Sequence, residues 1–132
     1  MDVVVTCPKS RWEEWLTEGG LPGDPNIYGS VYHWFGSGPL PRITIGERVY
    51  IMAHRYLRGY APLVRIERIE HYRQHPPSWW WPGAQWALVR RGGAVACTVA
   101  EPIRGFQGYR YRWWDRDTEK DFPDWQSIGV RP

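Results

Sequence analysis

The sequence predicts an α+β domain that is mainly β, a small antiparallel β-barrel with one N-terminal helix packed on it. Three observations lead there. At least six short apolar or alternating runs are separated by Gly- and Pro-rich turns, only one segment has helical periodicity, and 132 residues suffice for one core but not for two ordinary domains. A single domain over residues 1–132 follows, without internal repeat, linker or low-complexity tract.

Residues 3–7 (VVVTC) are a continuous apolar run that reads as a buried strand, ended by Pro8. Ser10 and Glu13 have the spacing of a capping box, which starts a helix whose apolar face carries Trp12, Trp15 and Leu16 and which Gly19 and Gly20 stop. Residues 28–35 alternate and predict a strand with two usable faces, His33 on one and Trp34 on the other.

The central feature is a hairpin over residues 46–70: a first strand at 48–54, a basic turn at 55–58 closed by Gly59, and a second strand at 60–69. This places Arg55 and Arg58 at its tip. Residues 71–81 (HYRQHPPSWWW) read as a loop, because two prolines end regular structure. In an extended segment the middle of three consecutive Trp would point away from its neighbours, so at least one ring is expected at the surface. Residues 85–90 and 94–100 predict a second hairpin across Arg91-Gly92-Gly93. Residues 105–114 predict a last strand, in which Tyr109, Tyr111 and Trp113 alternate with Arg110 and Arg112. Residues 115–124 hold five acidic and two basic side chains and offset the basic body.

Ten Trp and an aromatic fraction of 16% exceed what a core of this size needs, so exposed, stacking indoles are expected. The net charge is +3, carried by 15 Arg against 2 Lys. A guanidinium forks onto phosphate and stacks on bases, although a GC-rich genome or a hot habitat accounts for the same bias. A flipped or unpaired base presents a π-face and a hydrogen-bonding edge, so its reader needs aromatic walls, a few polar groups and Arg for the phosphates. The chain holds all three. Arg55, Arg58, Arg110 and Arg112 are the candidate phosphate contacts, with a solvated basic face as the plainer alternative for each. Trp34 fits a cage wall and a core position equally, whereas Trp79, Trp80 and Trp81 together are expected to include at least one functional ring.

Other chemistry is poorly provided for. His71 and His75 have metal-compatible spacing only in a helix, which Pro76 argues against, so neither a metal nor another cofactor is expected. No Gly-rich loop matches a Walker or dinucleotide pattern. Cys7 and Cys97 lack a CxxC partner and read as core residues of a reduced compartment. With no apolar run of transmembrane length and no leader pattern, the expectation is a cytoplasmic protein without a membrane partner.

Three stretches resemble the PUA-like superfamily, which includes the YTH, EVE, ASCH and PUA domains. Lys9-Ser10, directly after the first strand, is similar to the Lys-Ser that YTH and EVE domains carry there. Residues 28–36 (YGSVYHWFG) resemble the YTH strand whose Trp forms one wall of a methyl-adenine pocket. Gly46-Glu47 and Gly59 stand where the superfamily's central hairpin has a Gly-acid pair and a Gly. The resemblance implies a non-enzymatic module that binds DNA or RNA and recognises a modified or flipped base in an aromatic cage. Lys9 and Ser10 would line the floor, Trp34 one wall, and one of Trp79, Trp80 and Trp81 the other. The ASCH branch implies an alternative, an amidohydrolase acting on a modified nucleoside, with Lys9, Ser10 or Thr6, and Glu47 or Glu101 as its candidates. A protein-interaction module using the Trp patch is a third reading.

Overall fold

Seven strands organise the domain: β1 (Val3–Thr6), β2 (Val31–Gly36), β3 (Arg48–Ala53), β4 (Tyr56–Arg68), β5 (Trp86–Arg91), β6 (Val95–Ala96) and β7 (Tyr109–Tyr111). The computed structural model describes residues 1–16, 31–73 and 75–130, and only the backbone of residues 31 and 32. The strands form one curled sheet in the order β2-β5-β4-β3-β1-β7, with β6 added beside β4. The domain is therefore mainly β, as expected, but the strand path ends at β2 and β7, and no ladder joins these two among the described residues. Side chains bridge the gap instead: the Tyr111 hydroxyl accepts from the Arg42 amide at 2.9 Å, and the Tyr109 hydroxyl donates to the Pro39 carbonyl at 3.2 Å.

Three consecutive valines mark β1 because both of its faces are covered. Val3 and Val5 join the main core with Trp12, Ile51, Leu63 and Leu88, while Val4 joins Tyr50, Met52, Leu57 and Ile103 on the other side. β1 runs antiparallel to β7 but parallel to β3, from Val3↔Val49 to Thr6↔Met52. That is the one parallel pair among the ladders of the described residues, and the rest are antiparallel. Neighbour direction leaves no trace in the residues of a strand that is apolar throughout.

β4 is long because it serves two ladders. Its first half pairs with β3 and β6, and its second half with β5. The hairpin turn is shorter than expected: His54 and Arg55 alone connect Ala53 to Tyr56, with φ of 48° and 69°. Two left-handed residues give the turn geometry that matches strand twist, here without glycine. Arg58 accordingly lies in β4 and not at the tip. It is the extra residue of a bulge, where Ile51 faces Gly59 and Met52 faces Leu57.

The helical segment begins as expected but is built differently. A 3-10 turn at Lys9–Arg11, with the Arg11 amide donating to the Pro8 carbonyl, leads into one α-turn at Trp12–Glu14. No side chain caps either turn, so the Ser10–Glu13 capping box does not form and Ser10 is exposed. The apolar face does form: Trp12 is buried, stacks on Trp15 at 5.2 Å, and packs with Leu16 against the core. The expected stop at Gly19-Gly20 and the start of the strand at Tyr28 lie outside the described residues.

The second hairpin is corrected outright. β5 pairs with β2 and β4, whereas β6 crosses to the other half of β4, so the two never meet in a ladder. The predicted last strand shrinks to β7. Two acids fasten the flanking segments: buried Asp2 accepts from the Arg48 amide and from the Arg112 and Arg116 guanidinium groups, and partly buried Glu119 accepts from Tyr50, Arg48 and Trp114.

Candidate functional site

The open side of the curled sheet holds a cavity of about 630 Å³. Its floor is the inner face of β1, β3 and β5, where Val5, Val49, Ile51 and Leu88 supply an apolar surface. Trp34 on β2, Trp15 on the helical segment and Trp81 in the loop before β5 add indole walls, and Phe35 and Phe106 lie at the margins. Polar groups reach the same space from Thr6, Arg11, Glu14, His33, Arg90 and Gln107. The arrangement is that of a small-molecule site, mostly apolar with a few convergent polar groups.

Local packing sets the ring positions. A Cβ at Gly36 would meet the Trp86 indole at 2.5 Å, so only glycine lets Trp86 lie across the end of β2, where it packs against Trp34 at 5.7 Å. The Trp86 indole also donates to the Gly38 carbonyl at 3.1 Å. Trp81 stacks on Phe35 with ring centroids 5.7 Å apart and planes within 14°, and the Arg11 guanidinium lies 4.1 Å from its centroid. Arg90, buried in β5, lies 5.9 Å from the Trp15 ring and donates to the Arg91 carbonyl at 3.0 Å.

The titratable groups are held in defined states. Burial lowers the His33 pKa below its usual value, against the opposing pull of Glu67, whose carboxylate is 3.7 Å from the ring nitrogen Nε2. Burial would raise the Glu67 pKa, but hydrogen bonds from Tyr72 and Arg65 outweigh it and hold the carboxyl below its usual range. Tyr72 is pushed up to about 12 by burial and by that carboxylate. Burial raises the Cys7 thiol to about 11, which leaves it a small apolar lining group at neutral pH.

Trp34 and Trp81 both line this cavity, whereas Lys9 and Ser10 do not. Both are exposed beside Pro8 and Arg11, which do, so they stand at the rim and not on the floor. The Trp triplet divides by burial. Trp80 is 5% exposed, packs with Ala84 and Ala87 and donates to the Ala84 carbonyl at 3.1 Å, while Trp79 and Trp81 are 48% and 41% exposed. Trp80 is therefore a core residue, not a base contact.

The four arginines divide too. Arg55 and Arg110 are exposed. Arg112 is engaged by Asp2 at 3.1 Å and by the Trp114 carbonyl. Arg58 is 0% exposed and donates to the carbonyls of Ala53, Trp125 and Ile128 at 2.5–2.9 Å. Burial lowers its pKa to about 10, so it stays cationic at neutral pH, with its donors spent on the fold. This corrects its expected place on phosphate.

The enzyme candidates are not assembled. Thr6 lines the cavity, but Glu47 accepts from the Thr44 amide and hydroxyl, and Lys9 and Glu101 are exposed outside the lining. Sequence reasoning missed Trp15, Glu14 and Arg90 as site residues. Trp15 had been read as part of the apolar helix face, and Arg90 had only its place in a strand. Among the described residues no group of three His, Cys, Asp or Glu could hold a metal ion, and no helix is long and apolar enough to cross a membrane.

No protein-family model matches the chain, and a comparison with curated proteins finds no significant match. Among solved structures it is similar to a crystal structure of a mutant ZmASCH protein from Zymomonas mobilis, at 14% identity and a TM-score of 0.45, covering 89% of this chain and 92% of that one.

Proposed function

We propose that this chain is a PUA-like domain that binds DNA or RNA and receives a modified or flipped base in the cavity bounded by Trp15, Trp34 and Trp81. The observation that carries the reading is the convergence of three indoles and two guanidinium groups, of Arg11 and Arg90, on one cavity of about 630 Å³. That volume falls in the usual range of ligand pockets, roughly 300–1,000 Å³. Trp34 and Trp81 supply faces for the base. Thr6, Glu14, His33 and Gln107 supply donors and acceptors for its edge, which is where a modification would be read. Arg11 over Trp81, with Arg110 exposed over Phe106, suits the phosphates, and the exposed Lys9 and Ser10, next to Pro8 and Arg11 of the lining, suit the sugar-phosphate path.

The test is binding of methylated and unmodified oligonucleotides followed by titration calorimetry. Each of Trp34→Ala and Trp81→Ala should weaken binding by about 1–3 kcal/mol, the worth of one stacked base. Affinity should also fall steeply with salt, as phosphate contacts require. Unchanged affinity in both variants would remove the cage.

A further inference from the structure

We infer that the base cavity continues onto a second stacking site made by Phe106, Arg110 and Trp113, so that the ligand is a single-stranded nucleic-acid segment and not a free nucleoside. The inference rests on the base-binding reading above. Phe106 is the shared residue: it lines the cavity and also packs edge-on against Trp113, with centroids 6.5 Å apart and planes at 70°. The Arg110 guanidinium lies 4.8 Å from the Phe106 ring. Arg110 sits on β7 between Tyr109 and Tyr111, which pack against the core, so alternation turns it outward.

Trp113 is 54% exposed, yet it is not loosely held. It rests at 5.0 Å and 83° against Trp114, whose indole donates to the partly buried Glu119 carboxylate at 2.9 Å. An indole presented to solvent on an anchored base is a rigid platform that loses little entropy when something stacks on it. The cation beside it favours an anionic partner. Arg11 over Trp81 and Arg90 beside Trp15 repeat the pairing within the cavity lining. A strand with one base in the cavity and its neighbour on Trp113 meets both an aromatic face and a guanidinium at each step. A polyanion of stacked π-faces is the ligand class that uses this combination, and sequence-tolerant stacking is its usual mode.

The experiment measures fluorescence anisotropy of labelled short RNA and DNA of one sequence, each single-stranded and as a duplex, with a nucleoside monophosphate as competitor. Trp113→Ala should weaken single-strand binding by about 5- to 150-fold while leaving competition by the mononucleotide unchanged, and Trp113→Phe should retain most of the affinity. Single strands should bind more tightly than duplexes. If Trp113→Ala leaves single-strand affinity unchanged while Trp34→Ala weakens it, the platform falls and the cavity stands. If Trp34→Ala and Trp81→Ala leave all binding unchanged, the base-cavity reading falls and its continuation with it. Equal affinity for duplexes overturns the single-strand assignment.

Discussion

Arginine among aromatic rings occurs twice in this domain, with opposite consequences. At the closed end Arg58 lies 5.0 Å from the Trp12 ring and 5.4 Å from Phe122, fully buried, its donors taken by backbone carbonyls of the hairpin and of the C-terminal segment. At the open end Arg11 lies 4.1 Å from the half-exposed Trp81, at the lip of a cavity. Residue type is the same in both places. What separates the two is where the N–H groups point: those of Arg58 are spent on backbone carbonyls, whereas Arg11 is exposed over an indole.

The largest test of that contrast is Arg58→Met, which would take the donor from the carbonyls of Ala53 in the hairpin and of Trp125 and Ile128 in the C-terminal segment. It should lower unfolding free energy by about 3–5 kcal/mol in a denaturant titration, whereas Arg110→Ala should stay within about 0.5 kcal/mol. A small effect of Arg58→Met would erase the distinction between the two ends. The Trp triplet gives a comparison at the same scale: Trp80→Ala should cost about 3–5 kcal/mol and Trp81→Ala, at the surface, much less. Equal losses would mean that Trp81 is part of the core and not a site residue.

Smaller again is the fastening of the N-terminal strand by Asp2. Burial would raise its pKa, but the Arg48 amide and the Arg116 and Arg112 side chains outweigh this and hold it below 3.8. The folded pKa is thus below the unfolded one, so the contribution is fully present above about pH 4 and is lost as pH falls through the folded value. Asp2→Asn should cost about 2–3 kcal/mol at neutral pH and flatten the acid side of a stability–pH profile. An unchanged acid limb would show that other carboxylates carry it.

The sequence made the strands legible wherever local pattern decides them. The valine run of β1, the alternation of β3 and the apolar face of Trp12, Trp15 and Leu16 all describe burial, and burial is what the structure shows. What stayed hidden is non-local. Arg58 reads as a turn residue because Gly59 follows it, yet a bulge and the distant carbonyls of Trp125 and Ile128 define its role. β5 and β6 read as a hairpin because glycines join them, but β4 offers each a better edge. The cavity was half visible: Trp34 and the Trp triplet stood out by composition, while Trp15, Glu14 and Arg90 converge only once the sheet has curled.

The position of β1 has a consequence for how the chain reaches this state. Its partners are β3, beginning at Arg48, and β7, at Tyr109–Tyr111, so β1 is enclosed only by strands that follow it by about 45 and 105 residues. Until residue 111 has emerged, a ribbon of three valines has at least one unpaired edge. Closure of this sheet must therefore wait for β7, proceed slowly because its contacts are distant, and pass through a stage in which that edge can pair with another molecule.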